Sequence, residues 1–248
     1  MTAKTILITG GTKGLGKGIA EYFLRAGNTV VIGARSAPSA AIEAEGNTAL
    51  FQECDVRDPQ QTQNLVDYCV AETGRVDVLI NNAGGSPEVD SGDVSARFTQ
   101  AIINLNLTGP AVLSQQAYQA MRATGGGCII NIASVSAQRP SPGTSAYGAA
   151  KAGLVNLTRS LAQEWAPNVR VNVIIAGLAK TDAALDHYGG EDGIKKIEQR
   201  MPMQRMAVAE DIAKACAYLM SAQADYVSGA TLEVHGGGEP PAFLSLQA

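Results

Sequence analysis

The chain has 248 residues, of which 46% are apolar and 17% are charged, and its formal net charge at pH 7 is −4. A chain of this length can form one large α/β domain with a sizeable core, and its acidic balance excludes the basic surface that nucleic-acid binding requires. We therefore expect a single domain over residues 1–248, with a small molecule as its partner.

Apolar runs alternate with amphipathic stretches along the whole chain. This order is typical of βαβ units, in which helices cover both faces of a parallel sheet. Seven strands are predicted, near residues 4–9, 29–33, 48–53, 76–81, 127–133, 169–175 and 230–235. The first helix is expected over about 14–26, because an apolar stripe ends at Gly27, a residue suited to a helix stop.

A glycine-rich loop joins the first predicted strand to the first predicted helix. Its sequence, TGGTKGLG, runs from Thr9 to Gly16. Backbone N–H groups and the positive end of a helix hold a pyrophosphate at such a loop. A lone glycine motif also fits a tight turn, but a position between strand and helix favours a nucleotide site.

The N-terminal run lacks the basic segment and cleavage site of a signal peptide, and no stretch has the roughly 18 apolar residues that a membrane helix needs. We therefore expect a soluble, cytoplasmic protein. The four cysteines are scattered and are interpreted as reduced packing residues. His187 and His235 have no ligand spacing around them, so no metal is expected.

Tyr147 and Lys151 lie four residues apart in a predicted helix, so their side chains share one face. A phenol is a poor acid or base at neutral pH, and a neighbouring ammonium lowers its pKa by favouring the ionised form. Taken alone, the pair better fits a buried tyrosine beside a solvated lysine. Ser134 and Asn106, together with the glycine loop, favour a catalytic role instead.

The least patterned segment is 181–206, which contains several glycines and Pro202. It is interpreted as a substrate lid, with a surface excursion as the alternative. Its residues Leu185, His187, Tyr188, Met201 and Met203 form an adaptable apolar set that suggests a hydrophobic substrate.

Ordered motifs cover nearly the whole chain and together resemble those of the short-chain dehydrogenase/reductase family. The motifs are Thr9 to Gly16, Asp55, Asn81 to Gly84, Asn106 with Gly109, Ser134, Tyr147 with Lys151, and Gly177 with Thr181. The resemblance implies a Rossmann-type, doubly wound parallel sheet and an NAD(P)-dependent oxidoreductase acting on CH–OH groups. Similar members include 3-oxoacyl carrier protein reductases and hydroxysteroid dehydrogenases.

The resemblance also implies catalytic roles. Tyr147 would be the general acid in ketone reduction and the base in alcohol oxidation, and Ser134 would hydrogen-bond the substrate oxygen. Lys151 would lower the pKa of Tyr147 and hold the nicotinamide ribose. Asn106 would hold a water in a proton relay through Lys151.

The implied cofactor contacts run from the glycine loop to the predicted lid. They are Gly10, Thr12, Lys13, Gly14, Leu15, Gly16, Arg35, Asp55, Val56, Asn82, Ala83, Gly84, Tyr147, Lys151, Gly177 and Thr181. In this family an acidic residue at the end of the second strand binds the adenosine ribose of NAD. Ala34 stands at that position, while Lys13 and Arg35 offer positive charge to a 2′-phosphate. The sequence therefore predicts a preference for NADP(H), with NAD(H) possible.

Ala176 departs from the family pattern, since it replaces the proline before Gly177 and leaves that turn freer. The alternative function is a regulatory or sensor protein that binds NADP(H) without turnover.

Four basic residues near the lid, Lys195, Lys196, Arg200 and Arg205, suit an acidic carrier protein or an ordinary solvated helix face. A homotetramer or homodimer, built through long helices near 97–123 and 146–165, is implied by the resemblance alone.

Overall fold

The computed structural model describes residues 3–240, without the side chains of Asp182 and Ala183. The strands are β1 (Thr5–Thr9), β2 (Thr29–Ala34), β3 (Glu43–Ala44), β4 (Asn47–Thr48), β5 (Leu50–Glu53), β6 (Val78–Asn81), β7 (Gly127–Ser134), β8 (Val169–Ala176) and β9 (Thr231–Val234). The α-helices are α1 (Gly14–Arg25), α2 (Pro59–Thr73), α3 (Ala96–Ile103), α4 (Gly109–Ala123), α5 (Ser145–Trp165), α6 (Asp182–His187), α7 (Gly190–Glu198) and α8 (Ala209–Met220).

Seven of these strands form one parallel sheet in the order β5-β2-β1-β6-β7-β8-β9. The seven predicted strands and the doubly wound parallel fold are therefore confirmed. The third predicted strand begins at Leu50, later than expected. The reason is a short hairpin of β3 and β4 that turns through Glu45 and Gly46, both with positive φ.

The sheet is buried on both faces. Successive strand residues point to opposite sides, so Ile6 and Ile8 of β1 join one hydrophobic cluster and Leu7 joins the other. The first cluster packs against α1 and α8, and the second includes residues of α2, α4 and α5. This double burial explains why the strands appear in the sequence as continuous apolar runs.

A network of buried amide and hydroxyl groups interrupts the apolar core. Asn81 Nδ2 donates to Asn131 Oδ1 at 2.8 Å and to Ser114 Oγ at 2.9 Å. Asn131 Nδ2 donates to Thr158 Oγ1 at 2.9 Å. These bonds connect β6 and β7 to α4 and α5, so they fix both helices to the centre of the sheet.

The long helix predicted near 97–123 runs through α3 and α4 with a π-helical turn, Asn104–Thr108, between them. Such turns widen the helix by one residue and often lie at functional sites. Asn106 is in this turn and is completely buried.

Other sequence expectations concern membrane spans, the cysteines and metal ligands. No helix within residues 3–240 is long and apolar enough to cross a membrane. All four cysteines are buried and free, and burial raises the pKa of Cys69 and Cys128 to about 11. Among the described residues, no group of three or more His, Cys, Asp or Glu side chains is arranged to hold a metal ion.

Candidate active site

The glycine loop leaves β1 and enters α1 at the carboxyl edge of the sheet. Gly10 and Gly14 have φ values of +67° and +54°, a region that disfavours other residues. A Cβ on Gly16 would lie only 2.2 Å from the carbonyl oxygen of Gly10. Lys13 forms the N-cap of α1 without a side-chain hydrogen bond, and the first turn contains no acidic residue. The loop therefore presents helix N–H groups to an anion.

The loop after β6 is fixed to the glycine loop by Thr9. The backbone N–H groups of Asn82 and Ala83 both donate to Thr9 Oγ1 at 3.0 Å, and Asn82 Nδ2 donates to the Thr9 carbonyl at 2.8 Å. Two predicted cofactor-contact segments are thus brought together. The positioning role of Thr9 was not predicted from the sequence, although a threonine that ends an apolar run just before the glycines was a signal for it.

Arg35 follows the end of β2 and is exposed, as is Lys13. The nearby Asp55 carboxylate is bound by Arg57, whose Nε donates to Oδ1 at 2.9 Å. This hydrogen bonding, with a smaller attraction from Arg35, lowers the pKa of Asp55. Val56 is buried next to it. The charge of Asp55 is therefore largely balanced at this end of the site, an effect of Arg57 that the sequence analysis missed.

The side chains of Asn106 and Lys151 both lie close to Gly84, which is in the loop after β6. A Cβ on Gly84 would lie 2.7 Å from Asn106 Oδ1 and 3.1 Å from Lys151 Nζ. Lys151 is buried and donates to the Ile132 carbonyl at 2.7 Å. Its Nζ lies 5.7 Å from the centre of the Tyr147 ring, as expected for neighbours one helical turn apart on α5.

Most of the hydrogen-bonding capacity of the Asn106 side chain is already used. Its Nδ2 donates to the carbonyls of Ile102 and Gly85, both at 3.0 Å, and its Oδ1 accepts from the Gly85 N–H at 2.9 Å. One oxygen lone pair remains for a water. The side chain therefore holds Gly85, and with it the loop after β6, against the π turn.

Burial dominates the electrostatics of the site. It lowers the pKa of Lys151 to about 8 and raises the pKa of Tyr147 above its ordinary value. Hydrogen bonding from Ser134, at the end of β7, opposes the rise for Tyr147, whereas Tyr188 adds to it through its charge. The direction for Tyr147 is opposite to the expected lowering by Lys151, because desolvation of the phenolate outweighs any attraction from the ammonium.

The predicted lid begins beside the glycine loop. Thr181 caps α6 by accepting from the Ala184 N–H at 3.3 Å, and its Cγ2 would lie 3.7 Å from a Cβ on Gly14. Gly177 follows β8 at a point where a Cβ would come within 2.7 Å of His235 Cα. Both segments predicted to contact the nicotinamide thus lie at the same edge as the predicted catalytic residues, and Ala176 continues β8 as a buried strand residue.

The segment 181–206, the predicted lid, has a small core of its own. Met201 is buried there with Ala184, Ile194 and Met206, and Leu185 and Tyr188 pack against this cluster. Met203, in contrast, is 60% exposed. Most of the apolar set therefore stabilises the lid itself, which removes the basis for expecting a hydrophobic substrate.

The basic residues near the lid are partly neutralised by neighbouring acids. Arg205 donates to both carboxylate oxygens of Asp211, at 2.6 and 2.8 Å. Lys195 lies 4.0 Å from Asp192. This pairing weakens the attraction that an acidic carrier protein would experience.

Comparison with known proteins identifies relatives along nearly the full chain. A family model described as enoyl-(acyl carrier protein) reductase matches residues 10–239. Glucose 1-dehydrogenase 2 of Bacillus subtilis (strain 168) is 35% identical over 246 residues, covering 96% of this chain and 95% of that protein.

Two solved structures share the fold throughout. The aldohexose dehydrogenase of Thermoplasma acidophilum, in ligand-free form, has a TM-score of 0.88 and 30% identity, covering 99% of this chain and 95% of that one. An actinorhodin polyketide ketoreductase variant with NADPH has a TM-score of 0.86 and 29% identity, covering 95% of this chain and 97% of that one.

Proposed function

Because the chain belongs to the short-chain dehydrogenase/reductase family of NAD(P)-dependent oxidoreductases, which act on alcohol and ketone groups, we propose that it interconverts a ketone and a secondary alcohol. We further propose that it prefers NADP(H) and uses Tyr147 as its general acid and base. The observation that carries the proposal is the meeting of Tyr147, Lys151 and Ser134 beside a glycine loop that opens a helix.

The residues at the carboxyl edge of the sheet fit such a cofactor. The uncapped N–H groups of α1 suit the pyrophosphate, and Gly16 has no room for a side chain between the loop and Asn82. Lys151 and Tyr147 would hold the nicotinamide ribose, and Thr181 and Gly177 would lie beside the carboxamide. When bound, the cofactor supplies or accepts the hydride.

Tyr147 would exchange the proton that accompanies hydride transfer. Burial raises its pKa, so its hydroxyl remains protonated at neutral pH and suits donation to a developing alkoxide. Ser134 would hydrogen-bond the same substrate oxygen and fix its distance from Tyr147. Lys151, whose lowered pKa of about 8 lies close to neutrality, would take part in returning a proton to Tyr147 through a water held near Asn106.

We propose that the enzyme has a preference for NADP(H) because no acid stands at Ala34, Arg35 is exposed beside it and Arg57 balances Asp55. The expected result is a kcat/KM for NADPH that exceeds that for NADH by about tenfold or more, since a charge-assisted hydrogen bond contributes roughly 1.5–3 kcal/mol. Arg35→Ser should lower kcat/KM with NADPH by about tenfold or more and change the value with NADH little. Arg25→Ser, at the exposed end of α1, is the matched control. A clear preference of the wild-type enzyme for NADH would contradict the assignment.

Turnover separates this function from that of a sensor. The purified protein is given NADPH with a panel of ketones, and NADP⁺ with the corresponding alcohols and aldoses, while NADPH absorbance is followed. We expect turnover of at least one neutral substrate. Tight NADPH binding in calorimetry without turnover of any member would favour the sensor function instead.

A further inference from the structure

Helix α6 extends from the glycine loop to the outer rim of the site. At one end, Thr181 lies against Gly14, and at the other, His187 Nε2 is 3.9 Å from Glu88 Oε2. Six helical residues span about 9 Å. The C-terminal end of α6 therefore lies at a rim that it forms with the segment around Glu88.

Tyr188 occupies that end. Its ring packs on the core of the lid and meets the His187 ring edge-on, with 4.6 Å between ring centres. Its hydroxyl forms no hydrogen bond with any group that the structure describes. Tyr188 also lies close enough to Tyr147, Glu88 and Arg139 for charges to act between them. An unpartnered hydroxyl thus lies near both the catalytic tyrosine and the charged groups of the rim.

The rim around Tyr188 is acidic. The segment 84–95 contains Glu88 and two aspartates but no lysine or arginine. Glu88 packs against the loop before α5, which contains Gly143. A Cβ on Gly143 would lie 2.7 Å from Glu88 Cγ, and the Val89 N–H donates to the Gly143 carbonyl at 2.9 Å.

The guanidinium of Arg139, which is also on this rim, does not make the formal charge of the rim positive. Arg139 donates to the Glu239 carboxylate and to the Pro140 carbonyl. Glu88 and Glu239 together with Arg139 give a formal charge of −1. An anionic substrate that reaches this rim would therefore meet repulsion.

Resting on the proposed function, we propose that the Tyr188 hydroxyl and the Glu88 carboxylate bind a second hydroxyl of the substrate, which is an uncharged polyhydroxylated alcohol or its ketone. A substrate hydroxyl matches this pair, because it donates to the carboxylate and accepts from the phenol. Acyl thioesters on acidic carriers and substrates with a carboxylate are disfavoured by the same groups.

Three alcohols of one ring size test the proposal with NADP⁺: cyclohexanol, a vicinal cyclohexanediol and a hydroxycyclohexanecarboxylate. In the wild-type enzyme we expect kcat/KM for the diol to exceed that for cyclohexanol by about three- to tenfold, the worth of one hydrogen bond. The carboxylate should be the poorest of the three. Tyr188→Phe should bring the ratio of diol to cyclohexanol close to one, and Glu88→Gln should raise the carboxylate relative to cyclohexanol.

Two control variants keep both changes far from the site. Tyr218→Phe on α8 and Glu72→Gln on α2 are exposed and should leave the wild-type ratios unchanged. Because the Tyr188 ring also packs on the lid, thermal unfolding of each variant is measured, and Glu88→Gln provides an independent readout if Tyr188→Phe loosens the lid.

The possible outcomes have separate meanings. Equal kcat/KM for the diol and cyclohexanol, or ratios that neither variant changes, would overturn the inference while leaving the oxidoreductase intact. A wild-type preference for the carboxylate would also overturn it. Failure to oxidise all three alcohols while another member of the larger panel is turned over would overturn the inference alone. Failure to turn over any of the three alcohols and any member of the larger panel would overturn the proposed function and the inference together.

Discussion

Tyr147→Phe is expected to lower kcat/KM by about 100- to 10,000-fold, the range in which positioned acid–base groups contribute. The change removes only the phenolic oxygen and leaves the ring in its place on α5. Stability should change by no more than about 1 kcal/mol, the usual net worth of one hydrogen bond. Steady-state kinetics with a ketone of established turnover and a thermal melt check both parts.

The NADPH affinity of Tyr147→Phe shows whether the variant has lost only its proton-transfer group or also the structure of the cofactor site. Calorimetry should give an NADPH affinity for Tyr147→Phe within a few fold of wild type, because only one ribose contact is removed. Tyr218→Phe, an exposed tyrosine on α8, should retain full activity. Reduction at close to the wild-type rate by folded Tyr147→Phe would show that another group carries the proton.

Lys151→Met should also abolish most activity, with a fall in kcat of about 100- to 1,000-fold, as for removal of a preorganised charged donor from an active site. Unlike Tyr147→Phe, this substitution should change the free energy of unfolding by an amount that depends on pH. Burial lowers the pKa of Lys151 from 10.5 to about 8, so the charged form is disfavoured in the folded state. Below pH 8 the buried charge of Lys151 therefore destabilises the folded state by its full amount, on the order of 3 kcal/mol.

The cost should disappear as the pH rises. Between about pH 8 and 10.5 the folded protein has released the proton while the unfolded chain still holds it, so wild-type stability gains with pH. Methionine has no charge, but it leaves the Ile132 carbonyl without its donor, at a cost of about 1–3 kcal/mol. We therefore expect the variant to match or exceed wild-type stability at neutral pH and to lose this advantage in mild alkali. Urea unfolding across that range measures the difference, and a difference independent of pH would contradict the prediction.

Sequence patterns predicted the sheet well, because strands buried on both faces have a strong and simple signal. The hairpin through Glu45 and Gly46 escaped prediction, since strands of two residues show no periodicity. Helical spacing likewise brought Tyr147 and Lys151 together correctly. It carried no information on their burial, which decides the directions of both pKa shifts.

The substrate side of the site was the least predictable part. An apolar residue in an irregular segment can face the substrate or the segment's own core, and Met201 proved to face the core. The ion pair of Arg57 with Asp55 depends on a local turn, and the position of Tyr188 depends on how the predicted lid packs. Each of these follows from tertiary contacts rather than from composition or spacing.

The paired amides of Asn81 and Asn131 also select how the strands align. They lie opposite each other in the pairing of β6 with β7. A slip of one residue would turn Asn131 to the other face of the sheet and break its hydrogen bonds with Asn81 and Thr158, at about 1–3 kcal/mol for each group left unsatisfied. Ser134 lies three residues farther along β7, so the same slip would displace it by roughly 3.3 Å, about the length of a hydrogen bond. The proposed alignment of the substrate oxygen by Ser134 and Tyr147 thus depends on a buried polar pair that disfavours other registers of the sheet.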